Sequence, residues 1–257
     1  MIVNALLKIS FIRKKIIHSI KQYYFNELDI SLPIENDYWA RLYHNDSYDS
    51  FSEIFIQNEY QQFNPQIEVN TLIDLGAHHG FFSLWVQSKQ PEKKIKSLLV
   101  EPSSRCEKAL LNFIQKEKIT PYNTYFKKCI GNPQNKFTKF YDRPHMASSQ
   151  IKNDDGEDFI HIPILQIQDI TNWNAPPYDL LKCDIEGAEW ELLNHYKEIL
   201  KETKFLIIEW HKGQVEYGEF RNKLIELDFN ILQSTYSNSS QLRSNSTDLI
   251  LAKNNIF

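Results

Sequence analysis

An α/β fold, with a mainly parallel sheet covered by helices on both faces, is the architecture this sequence predicts. Three observations lead to it. From Thr71 onward, short apolar runs alternate with segments of helical texture. Those runs read as buried strands, and the first two are closed by Gly76 and Pro102. Finally, 257 residues with 42% hydrophobic content, including 16 Phe and 13 Tyr, suffice for one large core.

Taken in order, residues 1–25 read as a basic amphipathic helix. Ile2, Leu6, Ile9, Ile16 and Ile20 recur at helical spacing, interrupted by Lys8, Arg13, Lys14 and Lys15. Such a helix either packs on the domain or makes peripheral contact with acidic lipid or a membrane-bound partner. Residues 26–69, polar and aromatic with Pro33 and Pro65 as breakers, are expected to be helical or irregular. The chain thus divides into an extension, 1–69, and a main domain, 70–257.

In the main domain TLIDLG is a strand and FFSLWVQSK a helix; KSLLVEP is the second strand. SRCEKALLNFIQKEK is a helix with Ser103 or Ser104 as its cap. YFKKCIGN reads as a third strand. An inserted region around 132–170 follows, in which NDDGED reads as the turn of a hairpin between QIK and FIHIPIL. YDLLKCDIEG is the fourth strand, AEWELLNHYKEIL a helix and KFLIIEWH the fifth strand. EYGEFRNKLIELD is the last helix, and FNILQSTY with TDLILAK close the sheet. SNSSQLRSNS is a polar loop.

A formal charge of −4 offers no field for nucleic acid. Cys106, Cys129 and Cys183 lack metal or disulfide spacing and read as free thiols of a reducing compartment. No apolar run reaches the roughly 18 residues of a membrane span. The N-terminus lacks the charge order and cleavage site of a signal peptide, so a cytoplasmic protein is expected.

In an open parallel sheet, ligands bind beyond the carboxyl ends of the strands. The first such end is Asp74-Leu75-Gly76-Ala77-His78-His79-Gly80, whose glycines let the backbone approach a ligand. Its spacing departs from the dinucleotide fingerprint, because the third glycine is absent. The second is Glu101, placed 21 residues after Gly80 to accept the hydroxyls of a ribose. These two alone do not separate a nicotinamide cofactor from S-adenosylmethionine.

Asp184-Ile185-Glu186 and Glu209-Trp210-His211 end the fourth and fifth strands. Polar residues two apart leave the same side of an extended chain, so the four groups converge if the strands are neighbours. Clustered carboxylates act as a proton acceptor, bind a metal, or face a cationic ligand. A sulfonium is such a ligand.

IDLGAHHGFFSL, VEPSS, LLKCDIEGAEWELL and LIIEWH, in this order and spacing, resemble the FkbM family of S-adenosylmethionine-dependent methyltransferases over about residues 70–252. The resemblance implies a Rossmann-like class I methyltransferase sandwich, with a seven-stranded sheet whose last strand, TDLILAK, is antiparallel. It places the methionine part of the cofactor on the turn formed by Asp74, Gly76, Ala77, His78 and Gly80. The ribose falls to Glu101, the cofactor's amino group to Asp184, and the adenine to the region of Cys129 and Ile130. The family commonly has Asn-Ile where this chain has His78-His79, so His78 stands in for the Asn. The associated chemistry is O-methylation of sugars and secondary metabolites.

For such a transfer His211 is the first candidate base, with Glu186 second and Asp184 beside them. The competing arrangement is Mg²⁺ or Mn²⁺ on Asp184, Glu186, Glu209 and His211. His145 reads as a loop histidine; Trp190 and Trp210 read as core residues within reach of the crevice. Two rivals stand beside the transferase: a nicotinamide oxidoreductase, against which the missing glycine counts, and a non-catalytic module, against which the acid–histidine set counts.

Overall fold

The apolar runs become the strands of one sheet in the computed structural model, which describes residues 29–43, 45–63, 68–114, 122–143, 158–211, 215–235 and 247–257. The basic segment 1–25, His145, the QIK arm, all but the last residue of NDDGED, and the loop SNSSQLRSNS lie outside the described residues.

The extension opens with β1 (Ile30–Pro33) and β2 (Trp39–Leu42), an antiparallel pair, followed by α1 (Asn45–Phe51) and a π-helical turn, Ser52–Ile56. The expectation of helical or irregular structure missed this hairpin. Its position has a physical reason. In the main domain β3 (Thr71–Leu75) leads into α2 (Phe81–Lys89), in which every residue from Phe81 to Ser88 is buried. A helix buried all round needs cover on both sides. The sheet supplies one side; Leu32, Ala40, Leu42 and Phe51 supply the other, within one core with Phe81, Phe82 and Trp85.

β4 (Lys96–Val100), α3 (Glu107–Ile114) and β5 (Asn123–Phe126) follow. The third strand therefore ends before the predicted KKCIGN. Lys127 and Lys128 turn out of the sheet to meet Glu107 at 2.7 Å and Asp169 at 2.5 Å. Cys129 instead bridges to Ile164, beside the ribbon of β6 (Phe137–Phe140) and β7 (Ile160–Pro163). FIHIP is thus a hairpin arm, and its described partner is β6.

α4 (Ile167–Trp173), β8 (Tyr178–Cys183), α5 (Glu189–His195), α6 (Lys197–Lys201), β9 (Thr203–His211), α7 (Tyr217–Glu226), β10 (Phe229–Ser234) and β11 (Thr247–Asn254) complete the chain. The seven-stranded order is β10-β11-β9-β8-β3-β4-β5. β3, β4, β5, β8 and β9 pair in parallel; β11 lies antiparallel between β9 and β10. All six residues of β8 are buried, as befits a central strand covered on both faces. A second core, built on Tyr178, Tyr196, Leu206 and Phe220, fills the face opposite α2. No helix among the described residues is long and apolar enough to cross a membrane.

Candidate functional site

The carboxyl ends of β3, β4 and β8 are drawn together at Gly76. Its φ of +72° suits glycine, and a Cβ there would sit 1.8 Å from the Asp184 carbonyl oxygen. Without a side chain, the β3 turn lies directly against the end of β8. The Gly76 and Ala77 amides donate to the Val100 carbonyl at 2.9 and 3.1 Å, tying the same turn to β4.

Glu101 follows β4 directly and is 7% exposed. One of its carboxylate oxygens accepts the His78 amide at 2.9 Å, the other the Ser103 amide at 2.8 Å. Burial pushes its pKa up to about 7, against the pull of those two amides. Gly76, His78, Glu101, Asp184 and Glu186 line one cleft of about 750 Å³, open mouth included, with Val100, Cys129, Ile130 and Phe140 as its apolar part.

On β8 the chain leaves the sheet at Cys183, so alternation along a strand is not what places Glu186. A turn with φ of +52° at Glu186 and +100° at Gly187 does so. Glu209 and His211 do share a face of β9, which runs to His211. Asp184, Glu186 and His211 each bring a ligand-capable atom within 4.8 Å of the others, a group that does not include Glu209. Asp74, Ala77 and Gly80 are buried at the turn, outside the cleft's lining. Trp210 donates to the Val215 carbonyl at 3.1 Å and meets Tyr217 edge-on, and Trp190 packs on the second core.

Two residues that stand in the LLKCDIEGAEWELL motif, but were given no role from the sequence, organise these groups. Lys182, 4% exposed, donates to the Gly76 carbonyl at 2.8 Å. Its ammonium lies 3.4 Å from Asp184 and 3.8 Å from Asp74, whose other oxygen accepts Ser83 Oγ at 2.7 Å. Burial works against the Lys182 charge, but Asp184 and Asp74 outweigh it and raise its pKa. Burial likewise opposes the Asp184 anion, and Lys182 with His211 holds its pKa below the usual carboxylate range. The signal was a lysine inside an apolar strand, two residues before an acid and so on its side of the chain.

The other is Glu189, 2% exposed, at the start of α5. One carboxylate oxygen takes the Ile185 and Gly187 amides, at 3.1 and 3.2 Å, and His211 Nδ1 at 3.0 Å. It is the last acid of the run DIEGAE, and its hold on His211 spans 22 residues. Burial would discharge His211, but the hydrogen bond and charge of Glu189 raise its pKa to about 10. His211 is therefore an imidazolium at neutral pH, its Nε2 3.5 Å from Glu186. Burial and the Asp184 charge raise Glu186 to about 7, although 40% of its side chain stays open to solvent, which screens part of that effect.

These groups give the fold an uncommon pH dependence. Glu53, from the extension, is raised to about 8 by burial and by Glu59 and Asp184. Glu53, Glu101 and Glu186 keep protons in the native state that the unfolded chain loses above about 4.5. His211 keeps its own between its unfolded value of about 6.5 and about 10. Over this range the native state binds more protons, so stability falls as pH rises. Below pH 4 the lowered Asp179 and Asp184 reverse the slope. The thermal midpoint should therefore peak near pH 5 and decline towards pH 9; a flat or rising curve over pH 5–9 would contradict these charge states.

Known proteins supply the comparison. No curated protein matches the chain. Among solved structures, the FkbM methyltransferase of Methylobacillus flagellatus is similar at 15% identity and a TM-score of 0.53, over 80% of this chain and 50% of that one. The chain thus spans half the length of that protein, with which it shares the fold. An S-adenosylmethionine-dependent methyltransferase of Clostridium acetobutylicum aligns at 12% identity over 80% of this chain and 92% of the other, with a TM-score of 0.44. The methyltransferase FkbM domain matches residues 74–231, from the β3 acid to the start of β10. With more than half of its length inside that domain, the chain belongs to the FkbM methyltransferase family.

Proposed function

We propose that the chain is an S-adenosylmethionine-dependent O-methyltransferase, acting in the cytoplasm on a hydroxyl of a sugar, glycan or secondary metabolite. The observation that carries this reading is one cleft lined by both a buried ribose-type acceptor, Glu101, and a partly solvated carboxylate, Glu186.

The residues suit the cofactor. When ionised, above its pKa of about 7, Glu101 has about four acceptor positions, of which the His78 and Ser103 amides take two, leaving two for a ribose diol. Asp184, kept anionic by Lys182, suits an ammonium group. Val100, Cys129 and Ile130 offer an apolar slot for a base. When bound, S-adenosylmethionine supplies a methyl group on a cationic sulfur.

The chain's own work is then to orient the acceptor and take its proton. Glu186 is the better acceptor of that proton. His211 already carries one at neutral pH and is held by Glu189, so it serves as the positive charge, 3.5 Å away, that orients Glu186. This reverses the order of the two candidates read from the sequence.

A divalent ion on Asp184, Glu186 and His211 is the second reading, favoured by their convergence within 4.8 Å. The Lys182 ammonium already supplies a cation beside Asp184, which weighs against it. Incubating the chain with labelled cofactor and a panel of hydroxyl-bearing glycans and small metabolites, with and without EDTA, tests both. Labelling of an acceptor oxygen that persists in EDTA is expected; label on no acceptor contradicts the activity, and loss in EDTA favours the metal.

A further inference from the structure

His78 and His79 bring a second feature to the cleft, separate from the acid–histidine cluster of β8 and β9. Their Nδ1 atoms face each other at 3.0 Å, with ring planes 86° apart. One nitrogen of each and the Cys106 sulfur all lie within 4.8 Å of one another. His79 and Cys106 are each 2% exposed, while His78 and Cys106 line the cleft.

We infer that His78, His79 and Cys106 form a three-ligand site for a borderline-soft transition-metal ion of the Zn²⁺ class, with its fourth position open to the cleft. Two facing imidazole nitrogens share one proton at best, whereas a cation accepts both lone pairs. Two imidazoles and a thiolate suit zinc, cobalt or copper and disfavour the oxygen-seeking Mg²⁺ and Ca²⁺. Around tetrahedral zinc, neighbouring ligand atoms stand about 3.5 Å apart, so atoms within 4.8 Å of one another need to close by about 1.3 Å at most, and the facing Nδ1 pair at 3.0 Å needs to open slightly.

The frame is already set. The His78 amide is tied to Glu101, His79 stacks on Phe81 at 5.9 Å, and the Cys106 carbonyl accepts the Leu110 amide at the head of α3. Binding places both imidazole lone pairs and the thiolate on the metal and releases the thiol proton to solvent. Since His78 and Cys106 line the cleft, metal and cleft ligand are coupled, each changing the other's affinity by the same factor. That last consequence rests on the cofactor reading; the metal site itself does not.

The test is to strip the purified chain with EDTA, remove the chelator, titrate with Co²⁺ as a spectroscopic probe, and then add Zn²⁺. A single equivalent with a thiolate-to-cobalt charge-transfer band, displaced by Zn²⁺, is expected. Cys106→Ser should abolish the band, and His78→Asn should weaken Zn²⁺ binding by at least about tenfold, with circular dichroism confirming that both fold. Asp184, Glu186 and His211 offer no sulfur, so Co²⁺ bound there gives no such band, and Glu186→Gln should leave it intact. Absence of the band in the unaltered chain overturns the site, as does its survival in Cys106→Ser. Should Cys106→Ser fail to fold, unchanged Zn²⁺ affinity in His78→Asn is equally decisive against it.

Discussion

Lys182→Met should lower the stability of the chain by about 3–5 kcal/mol, the usual cost of removing one partner from a buried ion pair. The methylene stem is matched by the methionine, so the loss is electrostatic. Without the ammonium, Asp74 and Asp184 face each other's charge, and the Gly76 carbonyl loses its donor. One oxygen of Asp74 already has no hydrogen-bond partner among the described residues and depends on Lys182 for compensation. Urea denaturation measures the difference. A loss under about 1 kcal/mol, in the range of exposed pairs, would show that Lys182 is not the charge holding β3 against β8.

Glu186→Gln should lower the methyl-transfer rate by about 10²–10⁴-fold, the range attributed to general base help. The amide keeps the shape and the polar contact towards His211 but has no lone pair basic enough to take a hydroxyl proton. Cofactor affinity should change little, because the groups assigned to ribose and ammonium are Glu101 and Asp184. The unaltered chain should gain rate as pH rises through the region of the Glu186 pKa, about 7, and the variant should lose that rise. A single-turnover rate in Glu186→Gln close to that of the unaltered chain would remove Glu186 from the proton-accepting role.

How much of this was legible depends on what each residue needs as a partner. β3, β4, β8 and β9 could be read directly, since each central strand carries a run of buried apolar residues and ends in glycine or charge. The hairpin of β1 and β2 could not. ISLP and WARL are too short for a period of two to show, and they form strands because α2 needs a second cover. Glu101, Asp184 and Glu186 could be named as cleft residues because topology alone puts strand ends at a ligand crevice.

What escaped was their electrostatic state. Lys182 hides inside an apolar run and reads as part of a strand until Asp74 is seen opposite it. His211 reads as a neutral base until Glu189, on another element, is found bonded to its ring. The end of β5 at Phe126 was hidden for a similar reason. Lys127 and Lys128 are drawn out of the sheet by Glu107 and Asp169, and Asp169 lies 41 residues further along the chain.

Isothermal titration of the intact chain with S-adenosylmethionine, set beside Glu101→Gln, tests the central claim most directly. The unaltered chain should bind at one site, and Glu101→Gln should weaken binding by about tenfold to a hundredfold, as loss of a charged hydrogen-bond acceptor does. Thermal melts of both proteins show that the fold is kept. No binding to the unaltered chain, or the same affinity in a folded Glu101→Gln, would contradict the assignment of this cleft to the methyl donor.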